Sequence, residues 1–227
     1  MSRRLLFLVA AVAGCSNLQE GDAGVVAIEL SLPSPAVVEV GETLQLSAKP
    51  LDRDGDSVAV PVTWRTPDNT LSVDASGAVT GLVPGSGRVQ AVADGLVSEF
   101  VTLTVLAPAD TIIIVGDSVV SVPAGQTVSP SLTVRLESFS PAGPVSTRPV
   151  AFALTSPSPD VEPHQVELGP GVVADTLSTA ADGTTSITLT RLPTTTGPLT
   201  AVVEVSASRT RGAPVPGSGQ HFTVDFQ

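Results

Sequence analysis

The sequence predicts an all-β protein built from two tandem Ig-like sandwiches. Short runs of β-branched and aliphatic residues are separated throughout by glycine and proline, which number 20 each in 227 residues. This spacing is typical of strands joined by turns, because both residues interrupt regular structure. After the first 14 residues, no apolar pattern with the helical period continues over ten residues. The remaining length exceeds a typical single domain of roughly 100–150 residues, which favours two domains.

Residues 1–14 have the pattern of a cleaved signal peptide. Arg3 and Arg4 precede nine apolar residues at 5–13, and small residues follow at the expected cleavage site. A transmembrane helix is disfavoured because spanning a bilayer takes roughly 20 apolar residues. An ordinary secretory signal, with a cysteine there by chance, remains the alternative.

The end of this segment, Val12-Ala13-Gly14-Cys15, resembles the lipobox of bacterial lipoproteins. The resemblance implies that cleavage occurs before Cys15 and that its sulfur receives a diacylglycerol. Residues 15–24 then form a lipidated tether, polar and glycine-containing. Ser16, where an aspartate would favour inner-membrane retention, implies an outer-membrane or cell-surface location. Cys15 is the only cysteine, so the chain has no internal disulfide.

The charge balance excludes two classes of partner. Without Arg3 and Arg4, the chain has nine basic and 22 acidic side chains, a net charge of −13. Nucleic acid requires a basic footprint, and anionic lipid attracts basic segments. We therefore expect no nucleic-acid partner, and membrane association through the lipid anchor only.

The first predicted domain covers residues 25–106. Its turn dipeptides include Asp54-Gly55 and Ser76-Gly77, and Leu44 and Leu46 alternate with polar residues. Seven short strands with turns every 8–12 residues are typical of an Ig-like sandwich. The strands are predicted at 25–32, 43–48, 58–65, 71–73, 78–82, 89–93 and 100–106.

Four motifs of this domain resemble the group 2 family of bacterial Ig-like domains. They begin at Val40-Gly41-Glu42-Thr43, Val62-Thr63-Trp64-Arg65, Val73-Asp74-Ala75-Ser76-Gly77 and Gly85-Ser86-Gly87-Arg88. Trp64 is expected to be buried between the sheets, where a sandwich places its large ring. Gly77 is expected to form a tight hairpin turn that Asp74 caps with its carboxylate.

Residues 107–109 form a minimal, proline-stiffened linker, so the two domains are expected to stack directly. The second predicted domain covers residues 110–227. Loops rich in proline, glycine and serine occur at 141–149, 157–163 and 209–219. Its strands are predicted at 111–115, 119–122, 131–138, 150–154, 166–168, 172–178, 184–190, 199–207 and 222–226.

This second domain resembles the group 1, invasin/intimin-type family of bacterial Ig-like domains. The matching motifs are Val122-Pro123-Ala124-Gly125, Arg148-Pro149-Val150-Ala151-Phe152, Thr179-Ala180-Ala181-Asp182-Gly183 and Phe222-Thr223-Val224. The segment Pro141-Ala142-Gly143-Pro144 lies where the family has a shorter glycine turn, which leaves the pairing of the flanking strands open. A fibronectin-type or carboxypeptidase-regulatory-like sandwich is the alternative.

Asp52, Asp54 and Asp56 are the weak candidates for a metal site. Three carboxylates at alternate positions can converge on calcium, but the EF-hand pattern requires glycine and glutamate where Ser57 and Thr63 stand. An acidic hairpin tip is the favoured interpretation. We therefore assign no metal and no cofactor to these residues.

Other residues with potential chemistry are interpreted as structural. Asp110 and Asp117 near the linker form a junction metal clamp only if acids of the first domain meet them, and scattered surface acids are favoured. The histidines, His164 and His221, have no partners at metal-ligand spacing, and the serines, Ser86 and Ser218, lack a nucleophile elbow. We expect no enzymatic activity and no catalytic residue.

Two functions follow. The favoured one is a non-enzymatic, lipid-anchored cell-envelope protein whose Ig-like domains act as a stalk, an adhesion element or a structural module. The alternative is an accessory protein that binds an extracellular polysaccharide or protein through the three loops of the second domain. An aromatic sugar platform is disfavoured because the chain has one tryptophan and no tyrosine. The sequence indicates no oligomeric state.

Overall fold

The computed structural model describes residues 24–169, 171–193 and 197–227. The described part of the chain consists of strands, turns and loops without a helix, which confirms the all-β prediction. Within these residues no helix is long and apolar enough to cross a membrane. The signal peptide and Cys15 lie outside the described residues.

The first sandwich has three sheets. Its strands are β1 Ala27–Ser31, β2 Val37–Glu39, β3 Thr43–Gln45, β4 Ser47–Leu51, β5 Val62–Arg65, β6 Leu71–Val73, β7 Ala78–Gly81, β8 Gly85–Ala93, β9 Leu96–Val97 and β10 Val101–Leu106. One sheet pairs β1 with β4, a second has the order β2-β10-β8-β5 with β9 beside β8, and a third has the order β3-β7-β6.

The core of the first sandwich follows the predicted alternation. Leu44 and Leu46 are both 2% exposed, whereas the polar residues between and beside them face solvent. Because side chains alternate across a strand, this pattern fixes which face of β3 is buried. The other buried core residues are Val38, Leu71, Val79, Val89, Leu103 and Val105.

Trp64 differs from the prediction that it is buried between the sheets. It lies on β5 and is only partly buried, at the margin of the core. A Cβ atom placed on Gly77 would approach Cε2 of the indole to 2.8 Å, so the ring packs over the glycine turn between β6 and β7. The core itself consists of aliphatic side chains.

The second sandwich also has three sheets. Its strands are β11 Thr111–Val115, β12 Val119–Val122, β13 Leu132–Phe139, β14 Ala142–Pro144, β15 Pro149–Ser156, β16 Val166–Leu168, β17 Ala174–Ser178, β18 Thr184–Ile187, β19 Leu189–Arg191, β20 Leu199–Ala207 and β21 Gln220–Phe226. A five-stranded sheet has the order β12-β21-β20-β15-β17, a four-stranded sheet pairs β13 with β11, β14 and β18, and β16 pairs with β19.

The second core contains three of the six phenylalanines, Phe152, Phe222 and Phe226, all at most 1% exposed. Phe152 lies on β15, whereas Phe222 and Phe226 both lie on β21, and β20 runs between these two strands of the five-stranded sheet. The two cores are separate clusters, one drawn from residues 38–105 and the other from residues 109–226.

The segment 141–149 is not the long loop that the sequence predicts. Residues 142–144 form β14, which pairs antiparallel with β13 in the register Glu137↔Pro144 and Phe139↔Ala142. Val145 and Arg148, which follow it, are 3% and 7% exposed. Strand β13 therefore pairs with the Pro-Ala-Gly-Pro segment itself in a hairpin, and a partly buried connection then leads to β15.

Candidate functional site

In the described residues, a buried network of ion pairs and hydrogen bonds lies where the two sandwiches meet, and Glu39 is at its centre. Strand β2 runs parallel to β10, and the pairing of Glu39 with Leu106 places the glutamate beside the linker. The Glu39 side chain is 0% exposed. A buried carboxylate requires compensating donors, because removing it from water without partners costs several kcal/mol, on the order of 5.

Those donors come from the linker and from the second sandwich. Arg148 pairs with Oε1 of Glu39 through Nη2, and its own side chain is only 8% exposed. The backbone N–H of Ala109 donates to Oε2 at 3.2 Å, and that of Thr210 donates to Oε1 at 3.1 Å. Nε of Arg209 lies 3.7 Å from Oε2. Both carboxylate oxygens of Glu39 therefore face donors from the other side of the junction.

Arg209 is held in place by a second acid. Its Nη2 lies 2.6 Å from Oδ1 of Asp110, and its Nε donates to the carbonyl of Ala109 at 3.2 Å. Oδ2 of Asp110 accepts the backbone N–H of Phe139 at 2.7 Å. Asp110 therefore fixes the arginine by pairing with it, and does not contribute to an acidic metal clamp.

Arg148 is positioned from within its own sandwich. Its backbone N–H donates to Oγ1 of Thr179 at 3.0 Å, and this hydroxyl donates to the carbonyl of Val145 at 2.7 Å. Thr179 is 3% exposed. The Thr179 hydroxyl therefore links the backbones of Val145 and Arg148, so the Arg148 guanidinium extends into the junction from a fixed backbone.

Further bonds cross the junction at its edge. The hydroxyl of Thr210 donates to Oε2 of Glu42, and Nη2 of Arg211 donates to the carbonyl of Val37. Pro108 and Ala109 of the linker are buried. A buried linker flanked by charge-assisted hydrogen bonds is suited to fixing two bodies against each other.

The junction corrects the expected position of the candidate binding loops. Arg148 of segment 141–149 and residues 209–211 of segment 209–219 contact the first sandwich. These two segments are therefore engaged at the junction and are not free for an extracellular polysaccharide or protein, as the alternative function expects. Of the three loops, 157–163 has no such contact among the described residues, and Val161 in it is 62% exposed.

Asp52 acts as a turn residue in the acidic hairpin tip. Its Oδ1 accepts the backbone N–H groups of Asp54 at 3.0 Å and Asp56 at 2.9 Å. Gly55 has a φ of 84°, as the predicted turn requires. Arg53 lies 3.8 Å from Asp54, with both side chains exposed. In the described parts of the chain, no group of three or more potential ligands is arranged to hold a metal ion.

The histidines and serines occupy separate places. His164 is partly buried, with Nε2 2.7 Å from Oε1 of Glu162, whereas His221 is exposed on β21. The hydroxyl of Ser218 donates to the carbonyl of Ala207 at 3.0 Å, and Ser86 is exposed on β8. Asp117 is exposed as well. In the described residues, no hydrogen bond or ion pair joins any two of these five side chains.

Three acids away from the junction have shifted pKa values. Hydrogen bonds from the Arg88 side chain hold the pKa of Asp68 below its usual range, and the same pairing raises the pKa of Arg88. Hydrogen bonds from Ser76 lower the pKa of Asp74, and those from Thr184 lower the pKa of Asp182. The last two acids are turn caps, which confirms the prediction for Asp74.

The sequence reasoning missed the junction acid. Glu39 lies within Val37-Val38-Glu39-Val40, an apolar run in which one charged residue interrupts the pattern. An acid in an apolar strand indicates either an edge or a buried partner. That signal was available, but nothing in the sequence indicates that the partners are Arg148 and Arg209.

A scan against protein-family models gives no match, and no curated protein matches the chain. Among solved structures, the Yersinia pseudotuberculosis adhesin InvE is similar with a TM-score of 0.42 and 18% identity, over 87% of this chain and 58% of that chain. Domains 4 and 5 of the S-layer protein SbsC give 0.34 and 18%, over 90% and 98%. The D00-D0 domain of intimin gives 0.31 and 16%, over 88% and 99%. These comparisons assign the chain to no family.

Proposed function

We propose that this chain is a non-enzymatic, lipid-anchored protein of the cell envelope, in which two Ig-like sandwiches act as one stiff spacer. The spacer serves as a stalk, an adhesion element or a structural module at the outer membrane or cell surface. In this proposal the first sandwich is of the group 2 bacterial type and the second of the group 1 type, as their motifs suggest.

The observation that carries this proposal is the buried contact of Glu39 with Arg148. A spacer that transmits position requires a fixed angle between its units, whereas tandem domains joined by small polar interfaces move by default. A desolvated ion pair, supported by the backbone donors of Ala109 and Thr210, penalises any motion that separates its partners. The junction therefore favours a single orientation of the two sandwiches.

The anchor rests on the sequence of the N-terminus. Cys15 follows a signal-like segment and is the only cysteine, so no internal disulfide competes for its sulfur. The net negative charge of the remaining chain disfavours electrostatic binding to anionic lipid. Acyl chains on Cys15 supply the attachment that the surface does not.

The residues with the greatest catalytic potential support a structural function instead. Oδ1 of Asp52 accepts backbone N–H groups of its own turn, and Ser218 bonds to Ala207. Asp110 pairs with Arg209. Catalysis needs a nucleophile, a base and a stabilising donor set in mutual reach, and these side chains are used separately.

Residual dipolar couplings test the stiffness of the spacer. We expect backbone amides of both sandwiches to fit one alignment tensor in the soluble Cys15→Ser chain, because the junction fixes their orientation. Glu39→Gln should split the fit into two tensors, whereas Glu99→Gln at an exposed position should not. Two tensors in the Cys15→Ser chain without further substitution would contradict the proposal.

The anchor is tested by labelling cells with a radioactive fatty acid and fractionating them. We expect the chain to carry the label and to sediment with membranes, and Cys15→Ser to remove both properties because the sulfur is the acceptor. A control substitution, Ser16→Ala, should retain the label. If Cys15→Ser still sediments completely with membranes, the lipid anchor is wrong.

A further inference from the structure

Phe139 is an exposed aromatic side chain that the spacer function does not explain. It is 67% exposed, the largest value for a large apolar side chain in the described residues. The other exposed phenylalanine, Phe100, has a local partner, because the guanidinium of Arg88 lies 5.2 Å from its ring centroid. Aromatic residues make up only 3% of the chain, so an aromatic ring left exposed to solvent indicates a contact site.

Phe139 is one of the residues that line an open cleft of about 370 Å³. Arg135, Glu137 and Phe139 alternate on the outer face of β13, while the residues between them are buried on the core face. Gly143 and Pro144 of β14 line the cleft, and Asp182 lines it from the turn before β18. The volume is within the range of small-ligand sites, about 300–1,000 Å³.

The cleft combines a cation with two acids. Nη2 of Arg135 pairs with Oε1 of Glu137, and the side chains remain 42% and 31% exposed. Nε of Arg135 is buried without a hydrogen-bond partner in the described structure. Oδ1 of Asp182 accepts the backbone N–H of Thr184 at 3.0 Å and its hydroxyl at 2.7 Å. A guanidinium has five N–H donors. Because Nε is closed to solvent, the donors that a ligand can reach are those of the Nη groups beyond the one pairing with Glu137.

These groups select the ligand by charge and by hydrogen-bonding capacity. Two carboxylates against one guanidinium repel an anion. Among the described residues, no third ligand stands beside the two acids to hold a metal ion. A neutral polyol suits both kinds of group, because each hydroxyl donates to a carboxylate and accepts from an N–H. A sugar ring also presents a face of C–H groups, which packs against an aromatic ring.

We propose that this cleft binds one residue of a neutral polysaccharide, which goes beyond the spacer function. The apolar face of the sugar packs on Phe139. Its hydroxyl groups donate to Glu137 and Asp182 and accept from Arg135. The chain then contacts a glycan at the side of the spacer, at the hairpin whose Phe139 backbone is held by Asp110.

Isothermal titration calorimetry tests this with purified full-length protein in a detergent that has no sugar headgroup. The probes are cellohexaose, maltohexaose, chitohexaose and mannohexaose, with hexagalacturonate as an anionic comparison. We expect at least one neutral probe to bind with a Kd of about 1 mM or below, as suits a single sugar subsite, and hexagalacturonate to bind more weakly than that probe.

Phe139→Ala should weaken this binding about tenfold, the equivalent of losing one aromatic contact. Phe100→Ala is the matched control and should leave it unchanged. Because Phe139 is exposed, we expect its variant to keep the melting temperature. Arg135→Gln should also weaken binding, through loss of its donors.

Three results of the calorimetry would overturn the proposal. One is the absence of binding by every neutral probe, and another is equal affinity of Phe139→Ala and the unsubstituted protein. The third is tighter binding of hexagalacturonate than of the neutral sugars. Sedimentation adds a further check: a dimer that Phe139→Ala dissociates would identify the cleft as a contact between copies of the chain and would likewise overturn it.

Discussion

Asp74 in the first sandwich and Asp182 in the second each cap a turn with a carboxylate oxygen. Oδ1 of Asp74 accepts the backbone N–H groups of Ser76 at 2.8 Å and Ala78 at 2.9 Å, and Oδ1 of Asp182 accepts that of Thr184 at 3.0 Å. A hydrogen bond that favours the ionised carboxylate lowers its pKa. Each turn is therefore tied to the charge state of one acid.

This linkage predicts that the protein loses stability in acid. The folded pKa values of Asp68, Asp74 and Asp182 lie below their ordinary value, 3.8. Their contribution is fully present above the unfolded pKa and is lost as the pH falls through the folded pKa. We expect the melting temperature to hold at neutral pH and to fall below about pH 4. Thermal melts across this range measure it.

Asp74→Asn should flatten part of that decline, since asparagine keeps the turn but does not titrate. Asp117→Asn provides the control, because Asp117 is exposed and accepts no hydrogen bond that the described structure gives. If the unsubstituted protein melts at one temperature from pH 7 to pH 2.5, the linkage argument fails.

Replacing Trp64 by alanine is expected to cost less stability than replacing a fully buried aromatic residue. Replacing a fully buried aromatic residue by alanine costs roughly 3–5 kcal/mol. Because Trp64 is only partly buried, we expect Trp64→Ala to lower the free energy of unfolding by about 2 kcal/mol. Urea denaturation measures the change. A loss of the full core value would mean that the ring anchors the sheets.

At the scale of elements, the β6–β7 hairpin and β5 form one packing unit. Gly77 has a φ of 86°, and a Cβ atom there would lie 2.9 Å from the carbonyl oxygen of Leu46 as well as 2.8 Å from the indole of Trp64. Only glycine satisfies both the turn and the close approach. The turn could be predicted from its dipeptide, but the approach of the ring could not.

Gly77→Ala should therefore destabilise more than an equivalent change at an open turn. Gly125 has nearly the same φ, 87°, and a Cβ atom added there would have nothing within 4 Å. Gly125→Ala carries only the backbone cost, about 1 kcal/mol, and Gly77→Ala should cost about 1–2 kcal/mol more. Urea denaturation of both variants measures this difference. Equal losses of stability in the two variants would show that the close contacts around Gly77 add no cost to the substitution.

The strands with a clear alternating pattern were predictable, and so were the short strands β6 and β16, whose bounds match the prediction, but β14 was not. The prediction at 199–207 matches β20 at both ends, because its alternation is long and its core face aliphatic. Strand β14 has the sequence Ala-Gly-Pro, which has low strand propensity. It forms because β13 offers a free edge beside it, and no local pattern records that.

At the scale of the whole molecule, the junction turns two separate cores into one assembly. Arg148 is 109 residues from Glu39 in sequence, and Thr210 is 171 residues away. Contacts between residues so far apart in sequence depend on the topology, which places β2 beside the linker. The sequence therefore predicts the linker, but it does not predict that Glu39 holds the two sandwiches together there. The lipid anchor remains a prediction from the sequence.

Cooperative unfolding is the consequence of this junction. We expect a single urea transition for the soluble Cys15→Ser chain. In the same background, Glu39→Gln should lower the stability by about 3–5 kcal/mol and separate the transition into two. The amide retains an acceptor for Thr210 but leaves Arg148 uncompensated in a buried position.

The double variant Glu39→Gln/Arg148→Met separates charge from packing. Removing both partners of a buried pair costs less than removing one, because no charge is left without a partner. We therefore expect the double variant to be more stable than Glu39→Gln alone, while its two sandwiches still unfold separately because no ion pair joins them. Glu99→Gln, at an exposed glutamate of the first sandwich, should match the parent chain in both measurements. If Glu39→Gln behaves like Glu99→Gln, the ion pair does not couple the two sandwiches, and the proposal that it makes the spacer stiff is wrong.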